Sequence, residues 1–128
     1  MKRSAIFATA AFALTLWMQG AHAKRDTTPP AATPAGKALS CIPLSQIRST
    51  RVYGDNVIDF HMNSRKVYRN TLPYACSGLG FEERFSYKTS LSQLCSNDII
   101  TVLRSPPSIQ GPSCGLGQFE PVTIAKKR

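Results

Sequence analysis

The chain has 128 residues and a net charge of +9, which allows one small domain and suggests an anionic partner such as nucleic acid. Much of that charge lies near the two ends, because residues 41–124 hold eight basic and six acidic side chains, a net of +2. Nucleic-acid-binding domains concentrate basic charge on one folded face, so we expect no nucleic-acid partner.

Residues 1–23 have the pattern of a secretory signal peptide. Lys2 and Arg3 give a positive start, residues 5–18 are almost entirely apolar, and Ala21-His22-Ala23 has the small residues that precede a cleavage site. The apolar stretch is shorter than the roughly 20 residues that a membrane span needs. We therefore expect a periplasmic or secreted protein with no membrane span after cleavage.

Two polar segments are predicted to flank the domain. Residues 24–40 are rich in Pro, Thr and Ala, and Leu39 is their one large apolar side chain, so they are predicted to form a flexible linker. Residues 125–128 form a basic tail that can contact an anionic surface weakly. The folded domain is predicted to span residues 41–124.

Short stretches of alternating polar and apolar residues recur through the domain and predict strands. These stretches are residues 47–53, 57–62, 66–72, 83–88, 98–104 and 118–124. The stretch 98–104 is apolar on both faces, as in a central or most buried strand, whereas Pro121 indicates an edge strand or a bulge. Short helical turns are predicted only at 43–47 and 89–95. The fold class is therefore all-β, a small six-stranded antiparallel barrel or sandwich.

The clearest hairpin joins residues 57–62 to 66–72 through a turn at 63–65. With a three-residue turn, Phe60 faces Tyr68 and Asp59 faces Arg69. Phe60 belongs to the apolar face of its strand, and Asp59 and His61 belong to the polar face. We therefore predict a surface ion pair between Asp59 and Arg69, and His61, Asp59 and Arg69 form a possible surface site.

The four cysteines are Cys41, Cys76, Cys95 and Cys114. An even number of cysteines in an exported chain favours two disulfides. They are too far apart for the C-x-x-C pairs of zinc or redox sites, so no metal and no other cofactor is expected. If the strands form an antiparallel meander, Cys41 and Cys95 meet at one end and Cys76 and Cys114 at the other. This is one of three possible pairings.

Short motifs around the cysteines carry a resemblance to a known family. They are Cys41-Ile42, Asn70-Thr71-Leu72, Cys76-Ser77-Gly78-Leu79, Leu94-Cys95, Asp98-Ile99 and Cys114-Gly115-Leu116-Gly117-Gln118-Phe119. Over about residues 41–121 the chain resembles a family of small exported Gram-negative bacterial proteins classed only as a domain of unknown function. The resemblance implies an exported domain with paired cysteines, and it implies no activity, substrate or cofactor.

No complete catalytic constellation is visible in the sequence. His61 is the one histidine of the predicted mature chain, and Glu82 and Glu83 would point to opposite faces of a strand. We therefore expect a non-catalytic binding or interaction module for an unknown protein or envelope component. The loop 105–117 and the four tyrosines are candidate contact regions. The alternatives are a single-histidine hydrolase and a purely structural envelope protein.

Overall fold

The computed structural model describes residues 27–105 and 109–126. The predicted signal peptide, the first residues of the predicted linker and the last two residues of the basic tail lie outside the described residues. Within the described residues there are ten strands. They are β1 Ala32–Pro34, β2 Cys41–Pro43, β3 Ile47–Tyr53, β4 Val57–Met62, β5 Val67–Thr71, β6 Phe85–Tyr87, β7 Gln93–Cys95, β8 Ile99–Arg104, β9 Ile109–Gly115 and β10 Phe119–Ile124. The fold is all-β with antiparallel pairing, as the alternating pattern predicts.

The strands form three sheets of different size. The largest has five strands in the order β1-β10-β5-β4-β3, the second has the order β6-β8-β9, and the smallest pairs β2 with β7. A 3-10 turn at Leu44–Gln46 follows β2, and the single helical turn α1 spans Leu79–Glu82. The helical turn predicted at 43–47 is thus present, whereas the one predicted at 89–95 is replaced by a bend and β7.

One hydrophobic core joins the two larger sheets. Phe60 on β4 lies edge-on to Phe119 on β10 and to Phe85 on β6, with ring centroids 5.4 and 6.4 Å apart. Edge-to-face pairs of this kind stabilise a core beyond the area they bury. Because Phe85 belongs to the three-stranded sheet, these contacts connect the two sheets through their apolar faces.

All six predicted strands are present, and four further strands were not predicted. β1 lies in the predicted linker and pairs with β10, so the ordered structure begins before residue 41. β9 occupies much of the predicted loop 105–117 and pairs with β8. The other two strands that were not predicted, β2 and β7, pair with each other. The predicted number of six strands was therefore too small, because short strands with Pro or Gly carry no clear alternation.

Pro121 was predicted to mark an edge strand or a bulge, but β10 lies between β1 and β5. The carbonyl of Pro121 accepts a hydrogen bond from the Ala35 amide at 2.8 Å. The N–H and C=O of one strand residue point to the same side, so the missing N–H of Pro121 also faces this side. The proline is tolerated because β1 ends at Pro34, where no further ladder bond is needed.

The predicted disulfide pairing is confirmed. Cys41 bonds Cys95 directly across the β2–β7 pair, and Cys76 bonds Cys114 on β9. The strands do not, however, form the simple six-stranded meander from which this pairing was predicted. With all four cysteines paired, the chain is typical of proteins from an oxidising, non-cytoplasmic compartment.

Candidate functional site

The β4–β5 hairpin holds the three residues predicted as a surface site. Asp59 lies opposite Arg69 and Phe60 lies opposite Tyr68, which confirms the predicted register. Arg65 ends the three-residue turn with φ of +66°, a left-handed conformation that closes such a loop.

A row of alternating charges crosses four strands of the five-stranded sheet. Arg51 on β3 lies opposite Asp59, Asp59 lies opposite Arg69, and Arg69 lies opposite Glu120 on β10. Opposite charges in directly facing positions stabilise a sheet. The row therefore favours the observed strand register.

The ion pair in the middle of the row is buried, so the prediction that Asp59 lies at the surface was wrong. The Nε and Nη2 groups of Arg69 donate to Oδ1 and Oδ2 of Asp59 at 2.8 and 2.9 Å. The Asp59 side chain is fully buried and that of Arg69 is 14% exposed. Tyr53 and His61, which share this face, are also half-buried. Side chains of this size shield a short carboxylate that strand alternation alone would leave in solvent. The hydrogen bond to Asp59 raises the pKa of Arg69 above its ordinary value.

His61 shares the face of Asp59 but forms no hydrogen bond with it. Both carboxylate oxygens of Asp59 are bonded to Arg69, and the buried Nε2 of His61 has no hydrogen-bond partner. Burial lowers the pKa of His61, Asp59 opposes this shift, and Arg51 and Arg48 add to it. The structure therefore brings Asp59 and Arg69 together and leaves His61 without an orienting carboxylate.

A cleft of about 650 Å³ lies on the other face of the same sheet. Its walls come from residues 35–37, Leu39, the start of β5 with the preceding turn (65–68), and β10 (121–124). This cleft was not predicted from the sequence, because one of its walls belongs to the predicted linker. Two signals were present in the sequence, namely Leu39 as a single large apolar residue and the adjacent cations Arg65 and Lys66.

The wall formed by residues 35–39 is held against β10 at both ends. Ala35 donates to the Pro121 carbonyl at 2.8 Å, and Leu39 and Phe119 exchange two backbone hydrogen bonds of 2.8 and 2.9 Å. Between these anchors, a Cβ added to Gly36 would lie 3.2 Å from Cγ of Pro121. The segment therefore packs tightly over β10, and its anchored ends preform the cleft.

The cleft combines an apolar interior with a cationic rim. Lys37, Arg65 and Lys66 are exposed at its edge, and no carboxylate is among its lining residues. Over residues 27–105 and 109–126 the only salt bridge joins Arg69 to Asp59, so these three cations have no acidic partner there. The local potential of the cleft is therefore positive.

The tyrosines predicted as contact residues are divided between two environments. Tyr53 and Tyr68 are half-buried, and Tyr68 lines the cleft. Tyr74 is 83% exposed and Tyr87 is 37% exposed. Of the four tyrosines, Tyr68 lines this cleft and Tyr87 lines a smaller pocket of about 250 Å³.

No group of three or more His, Cys, Asp or Glu side chains in the described part of the chain is placed to hold a metal ion. No helix in the same part is long and apolar enough to cross a membrane.

Comparison with protein-family models, with curated proteins and with solved structures found no match to this chain. The resemblance to an exported family of unknown function stays a prediction from sequence motifs.

Proposed function

We propose that this chain is an exported, non-catalytic binding module of the cell envelope or the secreted fraction, and that its ligand occupies the cleft between residues 35–39, β5 and β10. The observation that most supports this proposal is that the cleft is preformed, with one wall hydrogen-bonded to β10 at both ends. Preformed concave sites with an apolar lining and a few polar groups are the usual form of ligand sites. The signal-peptide pattern and the two disulfides support export to the periplasm or beyond.

The alternative of a single-histidine hydrolase has less support. A catalytic histidine needs a partner that orients it and a nucleophile or substrate proton within hydrogen-bond reach. Asp59 is engaged with Arg69 through both oxygens, and Nε2 of His61 is buried. We therefore expect no hydrolytic activity that depends on His61.

A ligand screen followed by thermal unfolding tests the proposed function. The probes are small anionic, cationic and neutral organic molecules, and the protein carries both disulfides. Thr123→Trp places an indole at the cleft on an exposed strand position, and Thr50→Trp makes the same change on the edge strand β3. Ligands should raise the melting temperature of the wild type and of Thr50→Trp but not of Thr123→Trp.

Three results would count against the proposal. Ligands that stabilise Thr123→Trp as well as the wild type would place the binding site elsewhere. A screen in which no probe stabilises the wild type would remove the cleft as a small-molecule site. Turnover of a probe that disappears in His61→Ala would establish the hydrolase instead.

A further inference from the structure

We infer that the cleft selects a single-chain anionic amphiphile, with an alkyl chain along its apolar walls and a carboxylate or sulfate head group at Lys37, Arg65 and Lys66. The inference deepens the proposed function and rests on it, because it names the class of ligand for the same cleft. It combines three observations: the apolar walls, the position of the cations and the lack of carboxylates in the lining.

The walls suit an alkyl chain. Their larger apolar side chains come from the anchored segment and two neighbouring strands. On the face opposite the charged row they are Leu39, Tyr68 and Pro121. A cleft of about 650 Å³ is in the range of small-molecule sites. Transfer of a methylene group from water to such a surface is favourable, so affinity should increase with chain length.

The three cations of the lining come from two separate segments. Arg65 and Lys66 belong to the β4–β5 turn, whereas Lys37 belongs to the opposite wall between β1 and β2. Cationic side chains therefore line both walls of the cleft. Because no carboxylate of the described residues neutralises these cations in the structure, they are available for a ligand.

The same charges argue against two other occupants. The basic residues near the chain ends, such as Lys24, Arg25 and Lys126, would be repelled by the cationic rim, so the chain's own termini do not suit the cleft. Nucleic acid suits the charge but not the walls, because single strands bind on platforms of several aromatic residues and Tyr68 is the one aromatic side chain in the lining.

Isothermal titration calorimetry with four probes below their micelle concentrations tests this selection. The probes are decanoate, decylammonium, the neutral decyl maltoside and acetate. Decanoate should bind about tenfold more tightly than decyl maltoside, since several partly exposed ion pairs together contribute about that factor. Decylammonium should bind more weakly than decyl maltoside, and acetate should show no binding.

Variants then separate the charge from the cleft itself. Arg65→Gly combined with Lys66→Gln removes two cations, and glycine suits the positive φ of residue 65, so the turn is kept. This variant should lose about tenfold in decanoate affinity and keep its affinity for decyl maltoside. Lys88→Gln, which removes a cation outside the cleft, should change neither.

The outcomes distinguish this inference from the proposed function. Equal binding of decanoate and decyl maltoside, with both lost in Thr123→Trp, would overturn the anionic selection and support the cleft as a binding site. Binding of both amphiphiles that persists in Thr123→Trp would overturn the two together. Tighter binding of a short oligonucleotide than of decanoate would replace the amphiphile with a polyanion.

Discussion

At the scale of single residues, the bidentate contact between Asp59 and Arg69 is the interaction whose disruption should cost the most stability. Removing one partner leaves the other charge nearly buried and unpaired, which is far more costly than losing a surface ion pair. Asp59→Asn should lower the free energy of unfolding by about 3 kcal/mol in urea titrations. Glu120→Gln is the matched control because Glu120 faces Arg69 from the exposed end of the same row, and it should cost at most about 0.5 kcal/mol.

A double-mutant cycle checks that the cost arises from the unpaired guanidinium. Replacing Arg69 by Met in the Asp59→Asn background removes the stranded charge, so the double variant should be more stable than Asp59→Asn alone. Equal losses in Asp59→Asn and Glu120→Gln would show that the pair contributes no more than a solvent-exposed one.

His61 should give the domain a pH-dependent stability. Burial lowers its pKa below the ordinary value of 6.5, so the unfolded chain holds the proton more tightly than the folded chain. The contribution of the neutral histidine to stability is complete above pH 6.5 and is lost as the pH falls from 6.5 to the lowered pKa. Urea titrations of wild type and His61→Gln across this window isolate the effect. The wild type should lose more stability than the variant, and parallel profiles would show that His61 does not contribute.

At the scale of elements, one side chain connects β5 to the segment between β9 and β10. The buried Asn70 donates from Nδ2 to the Gly117 carbonyl at 2.7 Å and accepts from the Gly117 amide at Oδ1 at 2.8 Å. A Cβ on Gly117 would fall inside the contact distance of the Thr71 carbonyl, so only glycine allows this close approach. These two hydrogen bonds between Asn70 and Gly117 therefore position the start of β10 and, with it, one wall of the cleft.

Changing the amide of Asn70 to a carboxylate should break one of these two hydrogen bonds, the one to the Gly117 carbonyl. In Asn70→Asp an oxygen replaces the donor that faces the Gly117 carbonyl, and a buried group left without a partner costs about 1–3 kcal/mol, or more if charged. Asn97→Asp, the same change at an exposed position, should stay within about 0.5 kcal/mol. The deficit of Asn70→Asp at neutral pH should shrink in acid, where a protonated carboxyl can donate to Gly117. A deficit that does not change with pH would contradict the proposed exchange of donor for acceptor.

The elements also show why part of the fold could be predicted and part could not. The hairpin of β4 and β5 has strict alternation and a turn-forming Asn63, so its register follows from local sequence. The three-residue strand β1 has no such pattern, and its partner β10 lies some 90 residues later in the chain. Asp59 was placed on the correct face, but its burial depends on the size of neighbouring side chains. The cleft was missed because it exists only once residues 35–39 fold over β10.

At the scale of the whole molecule, the two disulfides close loops with sequence separations of 54 and 38 residues. Chain entropy assigns each a stabilisation of about 4 kcal/mol, a large fraction of the stability of a small domain. Loop length alone favours the Cys41–Cys95 bridge by only about 0.3 kcal/mol. Packing instead favours the Cys76–Cys114 bridge. Cys76 is fully buried in the core and Cys114 packs against it, whereas Cys41 and Cys95 are half-buried.

The packing of the sulfurs should decide which disulfide variant is less stable, because removing buried atoms and leaving a cavity costs about 1 kcal/mol or more per site. The Cys76→Ala/Cys114→Ala variant should therefore be less stable in urea titrations than Cys41→Ala/Cys95→Ala, although its bridge closes the shorter loop. Mass spectrometry of the non-reduced wild type provides the control, and it should find both bridges and no free thiol. In the Cys41→Ala/Cys95→Ala variant, β2 and β7 should exchange amide protons faster while the larger sheets keep their protection, since that bridge joins only the two-stranded sheet. The opposite order of stabilities would show that chain entropy outweighs the packing of the buried sulfurs.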